Sequence, residues 1–409
     1  MNHTSISSKK LESSELWGQF YTSDIFSQTL IRNLEVNSPD FALELGPGEG
    51  GLINALINRW SNTQVITIDI DKRNHDYLNK QWPQHTHVNA DVLSIDIKRV
   101  LQPFANTVSL AICNPPFVRI PWLDSYGGIM EEIGVPLLEI ERKISSDIIF
   151  FAQNLKMLSK LGELAIILPN GFLTSQKYQY IRRYIINSHK IKKILQLPQR
   201  IYKGTDAATH IMYLEKEAEC GEKVKLGLVD LSGKVEDMIE VQTSCLEHRM
   251  DYNFYSIRRK KIKKLKFVSL GSIASIKRGT INNTAAKGGM INLFHTTDFK
   301  NNSNLESISL TESLEANDAK YIVAKSGDIV IARIGRNLEA QVAYISEGQS
   351  IISDCIFRIR FDSKYGDAIW QSLTSSEGKG ILSSMAYGVC AKSISKYDLA
   401  QFPIIIRNV

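Results

Sequence analysis

Four consecutive residues, Asn114-Pro115-Pro116-Phe117, combine groups that could grip a planar amine. The two prolines fix φ and exclude both a helix and further β pairing, so the segment should be a rigid turn. The Asn114 side-chain oxygen and the Pro115 carbonyl can each accept one N–H of an amine, and the Phe117 ring can stack on the flat ring that carries it. Asn-Pro also opens ordinary turns, so the motif alone is equally consistent with a sharp exit from a strand.

The element that must position this turn is the apolar run Val108–Cys113, which predicts a buried strand ending at the prolines. A second buried strand is predicted over Phe41–Leu45, followed by the glycine turn 46–51 and a helix over Leu52–Trp60. Because glycine lacks a Cβ, a cofactor can lie against the bare backbone of such a turn. Many helices begin in this way, so the glycine turn is specific only together with its surroundings.

Two acidic residues follow further strands. The strand Gln64–Asp69 ends in Asp69 at a spacing typical of a βαβ unit, and an acid there can hydrogen-bond ribose hydroxyls. Asp91 ends a third strand-like segment and could accept from the exocyclic amine of an adenine. A simple turn aspartate is an equally good interpretation of Asp91.

The segment before the first strand predicts a helix over Asp24–Leu34. Thr22 or Ser23 could cap this helix, and capping is expected whatever else the loop does. A helix N-terminus also suits a carboxylate, so the loop could hold the carboxylate of an amino-acid-like cofactor.

Composition restricts the classes of protein that remain. The chain has 409 residues, 43% of them hydrophobic, and a net charge of +6, which suits two or three globular domains and permits a nucleic-acid partner. The five cysteines show no zinc spacing, so we expect no metal site and a reduced, cytoplasmic protein. The N-terminus is polar and no apolar run approaches membrane-spanning length, so we expect no contact with a membrane.

The alternation of strands and helices continues beyond the proline turn, after a segment from 118 to about 145 that we expect to be long and irregular. The predicted elements are a helix over 145–159, a strand over Gly162–Pro169, a helix over Ser175–Ser188, and strands over Ile191–Leu197 and Thr209–Leu214. Tyr202 lies in the loop between the last two strands. A lone loop tyrosine is often a half-buried surface anchor, and that interpretation stays open beside a functional one.

A change of pattern after residue 250 predicts three parts: a catalytic domain over 1–250, a basic linker over 251–266 and a further domain over 267–409. The linker ends in a run with seven basic residues among ten, from 257 to 266. The run is either a solvated helix face or, beside a duplex, a track for phosphates. Beyond it, short β-prone runs with Gly and Asn turns favour a compact, mostly β module.

As an ordered set, these residues resemble the amino-methyltransferases of DNA, and most of all the γ-type N6-adenine enzymes of restriction-modification systems. The segments that carry the resemblance are Gly18-Gln-Phe-Tyr-Thr22, Leu43-Glu-Leu-Gly-Pro-Gly-Glu-Gly50, Asp69, Asp91 and Asn114-Pro-Pro-Phe117. The resemblance implies an α/β fold with a Rossmann-like sheet covered by helices on both faces, and S-adenosylmethionine as the cofactor. The chain departs from the family's pattern at Ser23, where a proline is usual.

The resemblance also implies roles for single residues. Thr22 would contact the methionine carboxylate of the cofactor, and Glu44, Gly46 and Gly48 would line its methionine end. Asp69 would hold the ribose and Asp91 the adenine. Asn114, Pro115 and Phe117 would hold the target adenine, and Tyr202 would pack on that base after it leaves the duplex. Cys113 precedes the motif, so a route through a cysteine thiolate on a cytosine ring is not expected.

The C-terminal part resembles one target-recognition domain of a type I restriction specificity subunit. The matching segments are 268–279, 326–333 and 395–403. The resemblance implies a mixed α/β, β-rich DNA-recognition domain, and therefore a site-specific adenine methyltransferase that carries its own DNA reader. Double-stranded DNA is the expected partner, and a separate restriction endonuclease is a second one.

Three alternatives remain from the sequence. The chain could be a methyltransferase of an rRNA amine or of a protein glutamine, since each of these must also activate a weakly nucleophilic nitrogen. It could also be a non-catalytic DNA specificity protein that keeps the fold as a scaffold. The C-terminal reader argues against the first two, and the intact Asn114 and glycine turn argue against the third. With one Asn-Pro-Pro-Phe motif and no long amphipathic helix evident, we expect a monomer that reads a continuous, non-palindromic site.

Overall fold

The computed structural model describes residues 22–94, 96–105, 107–135, 142–199, 201–202, 208–256, 267–288, 292–299, 307–310, 321–387 and 391–406. The basic run 257–266 and residues 18–21 of the Gly18–Thr22 segment lie outside the described residues. The chain divides into two units, Met1–Tyr252 and Asn253–Val409.

The first unit alternates strands and helices in the way the sequence predicts. Its strands are β1 (Phe41–Leu45), β2 (Gln64–Asp69), β3 (Thr86–Asn89), β4 (Val108–Cys113), β5 (Arg119–Pro121), β6 (Lys143–Ser145), β7 (Leu158–Pro169), β8 (Lys190–Gln196), β9 (Thr209–Glu215), β10 (Lys223–Val229) and β11 (Val235–Gln242). Its helices are α1 (Asp24–Arg32), α2 (Gly51–Arg59), α3 (Lys72–Gln81), α4 (Ile97–Val100), α5 (Asp124–Glu132), α6 (Ser146–Met157), α7 (Asn170–Thr174) and α8 (Gln179–Ser188). The predicted bounds of β1, β2 and β4 are confirmed.

Nine of these strands form one mixed sheet within the described part of the chain, in the order β11-β10-β8-β9-β7-β4-β1-β2-β3. β1 pairs in parallel with β2 and with β4, and β7 pairs in parallel with β4 and antiparallel with β9. The chain runs from β1 outward to β3 and then returns to β4 on the other side of β1. The strand order therefore reverses between β1 and β4, which is where the ligand crevice of such sheets opens.

Helices cover both faces of the sheet at its centre. Ala42 of β1 and Ile112 of β4 share a core with α1 and α2. Cys113, the next residue of β4, points to the opposite face because side chains alternate along a strand, and there it meets Asn154 of α6. All twelve residues of α6 are buried. The predicted Rossmann-like sheet with helices on both faces is confirmed.

Two predictions about the segments around this sheet were wrong. The stretch from 118 to 145 is not irregular: it contains β5, α5 and β6, and β5 pairs with β6 so that Arg119 lies opposite Ser145. The helix predicted over Ser175–Ser188 is split into a 3-10 turn, Gln176–Tyr178, and α8. The pairing of β5 with β6 joins segments that are distant in the chain, so the local sequence does not predict it.

The second unit is rich in short strands. They are β12 (Phe267–Ser269), β13 (Ala274–Arg278), β14 (Leu293–Phe294), β15 (Ser307–Ser309), β16 (Val323–Lys325), β17 (Ile329–Ala332), β18 (Ile334–Gly335), β19 (Val342–Glu347), β20 (Gln349–Ile352), β21 (Ile356–Phe361), β22 (Lys392–Ser393) and β23 (Pro403–Ile405). Its helices are α9 (Leu270–Ile273), α10 (Asn283–Gly288), α11 (Gly366–Thr374), α12 (Ser376–Met385) and α13 (Lys396–Ala400).

The largest sheet of this unit, in the described residues, has the order β13-β21-β17-β19-β15. All four residues of β17, together with Ile356, Phe357 and Ile359 of β21, belong to a core that also contains residues of α11 and α12. The predicted mixed α/β, β-rich fold of this part of the chain is confirmed.

Candidate active site

A cavity of about 570 Å³ opens at the carboxyl ends of β1 and β4, at the reversal of strand order. Of the ten site residues predicted from the sequence, seven line this cavity. They are Thr22, Glu44, Gly46, Gly48, Asp69, Asp91 and Asn114. The other three, Pro115, Phe117 and Tyr202, are not among its lining residues.

Asn114 and Thr22 meet inside this cavity. The Asn114 amide nitrogen donates to the Thr22 hydroxyl at 2.8 Å, across 92 residues of chain. This bond fixes the amide plane of Asn114 and directs its nitrogen toward the loop before α1. Ser23 occupies the N-cap position of α1, but its side chain makes no capping bond, so the expectation of side-chain capping was wrong for Ser23.

The turn between β1 and α2 needs glycine at several positions. Gly46, Gly48 and Gly50 have φ values of +72°, +56° and +82°, in the left-handed region that residues with a Cβ rarely adopt. A Cβ on Gly46 would lie 3.3 Å from the Phe150 ring, and one on Gly50 would lie 2.6 Å from the Trp82 ring. The glycines therefore let backbone form one wall of the cavity.

Asp69, at the end of β2, ties the glycine turn to the next strand. Its Oδ2 accepts from the Gly48 amide at 3.0 Å and from the Asn74 side chain at 3.2 Å, and its Oδ1 accepts from the Asp71 amide at 2.8 Å. Burial raises the pKa of Asp69, and these hydrogen bonds oppose that rise. The carboxylate is thus held rigidly where it borders the cavity.

Glu44 is buried with only 2% of its surface exposed. Burial raises the pKa of Glu44 well above its ordinary value, and the neighbouring Asp69 carboxyl adds to the rise. A neutral Glu44 can donate a hydrogen bond as well as accept one. Its Oε2 has no hydrogen-bond partner among the described residues, so it offers a buried polar atom to a ligand.

Asp91 also borders the cavity, just beyond β3. Its Oδ1 accepts from the Leu93 amide at 2.9 Å, which is the hydrogen bond of an aspartate-initiated turn. The turn interpretation of Asp91 is confirmed, and its position on the cavity wall leaves the contact with an adenine as a prediction.

The segment after Asn114 is clamped from α6. The Ser146 hydroxyl donates to the Pro116 carbonyl at 2.5 Å and accepts from the Val118 amide at 3.2 Å, while the Ser146 amide donates to the Val118 carbonyl at 2.9 Å. These three bonds fix the backbone on both sides of Phe117. Ser146 itself is fully buried and lines the cavity.

The two aromatic residues predicted to touch a base lie outside the cavity lining. Phe117 is half-buried and packs against the core shared with α1 and α2. Tyr202 is 5% exposed, and burial raises the pKa of its hydroxyl to about 12, against the effect of a hydrogen bond with Thr209. Their contact with a base stays a prediction.

Cys113 does not offer a nucleophile. Its side chain is fully buried and donates to the Leu45 carbonyl at 3.2 Å. Burial raises the pKa of the Cys113 thiol strongly, so it stays protonated at neutral pH. Within the described ranges, no group of three or more His, Cys, Asp and Glu side chains is arranged to hold a metal ion. No helix there is long and apolar enough to cross a membrane.

Sequence reasoning missed the contribution of α6. It predicted a helix over 145–159 but did not place Ser146 and Phe150 on the cavity wall. A signal was available, because a crossover helix that follows a parallel strand begins at the carboxyl edge of the sheet. The first turn of α6 therefore had to lie beside the turn that follows β4.

Comparison with known proteins identifies relatives of this chain. The family model described as N-6 DNA Methylase matches residues 9–284, which is about two thirds of the chain. The type II methyltransferase M.AccI of Acinetobacter calcoaceticus is 22% identical over 66% of this chain and 52% of its own length. Ribosomal RNA small subunit methyltransferase A of Malacoplasma penetrans is 30% identical over 23% of this chain and 34% of its own length. The chain thus spans about a third to a half of these curated relatives.

Two examples illustrate the solved structures that this one resembles. The type IIG restriction endonuclease BpuSI is 12% identical with a TM-score of 0.49, over 94% of this chain and 57% of that one. A methyltransferase subunit of a type I restriction-modification system from Streptococcus thermophilus is 20% identical with a TM-score of 0.44, over 56% of this chain and 51% of that one.

Proposed function

The chain belongs to the N-6 DNA methylase family, and from that membership we propose that it transfers a methyl group from S-adenosylmethionine to the N6 amine of an adenine in double-stranded DNA. The observation that carries this proposal is the meeting of Asn114 with the glycine turn and Thr22 in one cavity. The motif that would hold the amine and the turn that would hold the cofactor thus share one chamber.

The cavity fits the proposed cofactor. Its volume lies in the ordinary range for small-molecule sites, the positive φ values of the glycine turn open one wall to backbone contact, and the buried Glu44 Oε2 is available for a hydrogen bond. Thr22, Glu44, Gly46 and Gly48 would hold the methionine end, Asp69 the ribose and Asp91 the adenine. When bound, S-adenosylmethionine supplies an electrophilic methyl group on a positively charged sulfur.

Asn114 and Pro115 would prepare the amine of the target base. The lone pair of that amine is delocalised into the adenine ring, which makes the nitrogen a poor nucleophile. The Asn114 side-chain oxygen and the Pro115 carbonyl can each accept one N–H, which favours a pyramidal nitrogen with a localised lone pair. These bonds strengthen as positive charge develops on the nitrogen, so they stabilise the transition state more than the ground state.

The target adenine must leave the duplex to reach Asn114. We assign Phe117 to stack on it, because the Ser146 clamp holds the backbone of Phe117 on both sides. Tyr202 would be the second aromatic contact. Its ring is buried without a base present, so this contact requires the Tyr202 side chain to become exposed when DNA binds.

The second unit is assigned to reading the DNA sequence. Residues 253–409 contain 22 Lys and Arg against 13 Asp and Glu, whereas residues 1–252 contain 27 against 30. Seven of these 22 lie in the run 257–266, so the basic excess of the second unit comes mostly from the linker, as expected for a segment that contacts a polyanion. The division into a catalytic domain (1–250), a basic linker (251–266) and a reader (267–409) is part of this proposal.

We assign a monomeric state and a continuous, non-palindromic target, methylated on one strand. The longest helix of the described residues, α6, has all its residues buried and is not free to pair with a second copy. A separate restriction endonuclease is the proposed partner that would give methylation its protective role. Light scattering of the DNA complex tests the monomer, and a dimer that marks both strands of a palindrome would contradict it.

The decisive experiment is Asn114→Ala in the full chain. Methyl transfer to DNA should fall by at least about a hundredfold, as for loss of one group that stabilises developing charge, while calorimetry should show nearly unchanged binding of S-adenosylmethionine. Asn33→Ala is the control, because Asn33 also donates its amide, to Thr29 at 2.9 Å, but lies outside the cavity lining. Assays with rRNA and with protein in place of DNA test the alternatives. Methyl transfer to one of them and not to DNA would overturn the proposal.

A further inference from the structure

One end of the main sheet in the second unit brings arginines together. β13 and β17 both run antiparallel to β21, so the last residue of β13, Arg278, and the residue after β17, Arg333, lie beside the start of β21. The turn that enters β21 contains Asp354. Both guanidinium groups donate through Nε to the Asp354 carbonyl, at 2.9 Å from Arg278 and 2.8 Å from Arg333.

The two arginines differ in what the rest of each guanidinium does. Arg278 also bonds the Asp354 carboxylate through Nη2 at 3.1 Å. Arg333 is held only by its Nε and by its backbone, whose amide donates to Cys355 at 2.7 Å. Its two terminal nitrogens make no hydrogen bond to any residue that the structure describes. The Arg333 guanidinium is therefore fixed through Nε. Its two terminal N–H groups point side by side and can donate to a ligand.

The support beneath Arg333 is rigid. A Cβ on Gly279 would come within 2.1 Å of the Ser353 carbonyl, so the turn after β13 is pressed directly against the turn that enters β21. The Gly279 amide also donates to Ile356 at 3.1 Å. Such close backbone contact holds Asp354, the common acceptor of both arginines, in one position.

The surroundings of Arg333 are positively charged, which favours a ligand that accepts hydrogen bonds. Burial lowers the pKa of Arg333, and the adjacent Arg278 lowers it further. The exposed Arg336 follows β18, in which Gly335 pairs with Lys392 of β22. Asp354 is the carboxylate that contacts this group. A ligand that places hydrogen-bond acceptors at the terminal nitrogens would offset the repulsion between the Arg333 and Arg278 guanidinium groups.

We propose that Arg333 reads a guanine of the DNA target through its two terminal N–H groups, with Asp354 and Arg278 as the residues that position it. Guanine presents two acceptors, N7 and O6, side by side in the major groove, and a fixed arginine fork matches that pair. A phosphate would accept the same fork but carries no sequence information. The inference rests on the proposed function of the second unit as the DNA reader.

The test selects bound duplexes from a random pool with the full chain, and compares the wild type with Arg333→Ala, Arg333→Lys and Lys364→Ala. Arg333→Lys keeps the charge but removes the fork. Lys364 follows the opposite end of β21 and is exposed, so its removal matches the change in charge of Arg333→Ala. Circular dichroism and thermal unfolding check that each variant is folded.

The wild type should select a sequence containing at least one invariant G·C pair. Both Arg333 variants should select the same sequence with that one pair relaxed, with a loss of preference of roughly 5- to 150-fold, and Arg333→Lys should keep the salt dependence of binding. Lys364→Ala should select the wild-type sequence. The inference is overturned if the Arg333 variants select the unchanged sequence, if the relaxed pair is A·T, or if Arg333→Ala weakens all duplexes equally with a shallower salt dependence, which marks a phosphate contact. A wild type that selects no sequence overturns the reader function itself.

Discussion

The clamp that Ser146 places on the turn after Asn114 offers a test of how the site is held. Ser146→Ala removes two side-chain hydrogen bonds, to the Pro116 carbonyl and from the Val118 amide, and leaves the backbone bond with Val118 in place. At about 1 kcal/mol net for each bond, the free energy of unfolding should fall by about 2 kcal/mol.

The effect on catalysis should be larger than a loss of stability alone would give. Without the hydroxyl, the backbone on either side of Phe117 can relax, and with it the Pro115 carbonyl that we propose accepts from the target amine. Displacement of a reacting group by about 1 Å costs on the order of a hundredfold in rate. We therefore expect kcat to fall by about 10- to 100-fold, which is about 1.4 to 2.7 kcal/mol. Binding of S-adenosylmethionine should change by less than about threefold, because the Ser146 hydroxyl is fully engaged with the turn.

Thr63→Val provides a matched control. The Thr63 hydroxyl is also buried and also donates to a prolyl carbonyl, that of Pro39 at 2.7 Å, but it lies outside the cavity lining. Its loss should lower stability by about 1 kcal/mol and leave kcat unchanged. Single-turnover methyl transfer, measured well below both unfolding midpoints, separates the two variants. A Ser146→Ala protein that unfolds more easily but keeps the wild-type kcat would show that Ser146 supports the fold and not the turn.

Two further changes test the glycine turn and the buried acid at the start of α6. Gly46→Ala should weaken cofactor binding more than tenfold in calorimetry and lower stability by about 1–2 kcal/mol, because φ is +72° and the new Cβ meets Phe150. Gly128→Ala, in α5 with open space around a Cβ, should leave cofactor binding unchanged and raise stability by about 0.5–1 kcal/mol, because alanine favours a helix more than glycine does. Burial raises the pKa of Asp147 to about 6, against a hydrogen bond from Ser145, from a value of 3.8 in the unfolded chain. The native state thus binds more protons between about pH 4 and pH 6, so this group's contribution to stability is full below that window and is lost as pH rises through it. Asp147→Asn should abolish that dependence and be more stable than wild type at pH 8 by about 2–3 kcal/mol. Urea unfolding at pH 5 and pH 8 measures the free energy of unfolding of both proteins. If that free energy changes with pH in the variant as it does in the wild type, the assignment to Asp147 is wrong.

The parts of the fold and site that sequence predicts are those fixed by local chemistry. Val108–Cys113 is an apolar run stopped by two prolines, and Gln64–Asp69 is one stopped by an acid, so their bounds follow from a few adjacent residues. The edge of the sheet then brings Asn114 to the glycine turn, since both follow parallel strands that share that edge.

What sequence does not reveal depends on pairing between distant segments. The pairing of β5 with β6 is one example, because it joins partners about 25 residues apart in the chain. The burial of Tyr202 is a second example, because a single tyrosine in a polar stretch of sequence carries no sign of burial. Arg333 is likewise one arginine among many in the sequence, and only the turn around Asp354 singles it out.

The hydrogen bond between Thr22 and Asn114 has a thermodynamic consequence. It joins Thr22, which we propose contacts the cofactor, to Asn114, which we propose contacts the target base. A ligand that bonds to either side chain would then alter the orientation available to the other. Occupancy of the two halves is then linked, and linkage is reciprocal: whatever factor the first ligand imposes on the affinity for the second, the second imposes on the first. A bond worth about 1 kcal/mol net sets that factor at about five. One amide and one hydroxyl would thus make the affinity for the cofactor and the affinity for DNA depend on each other.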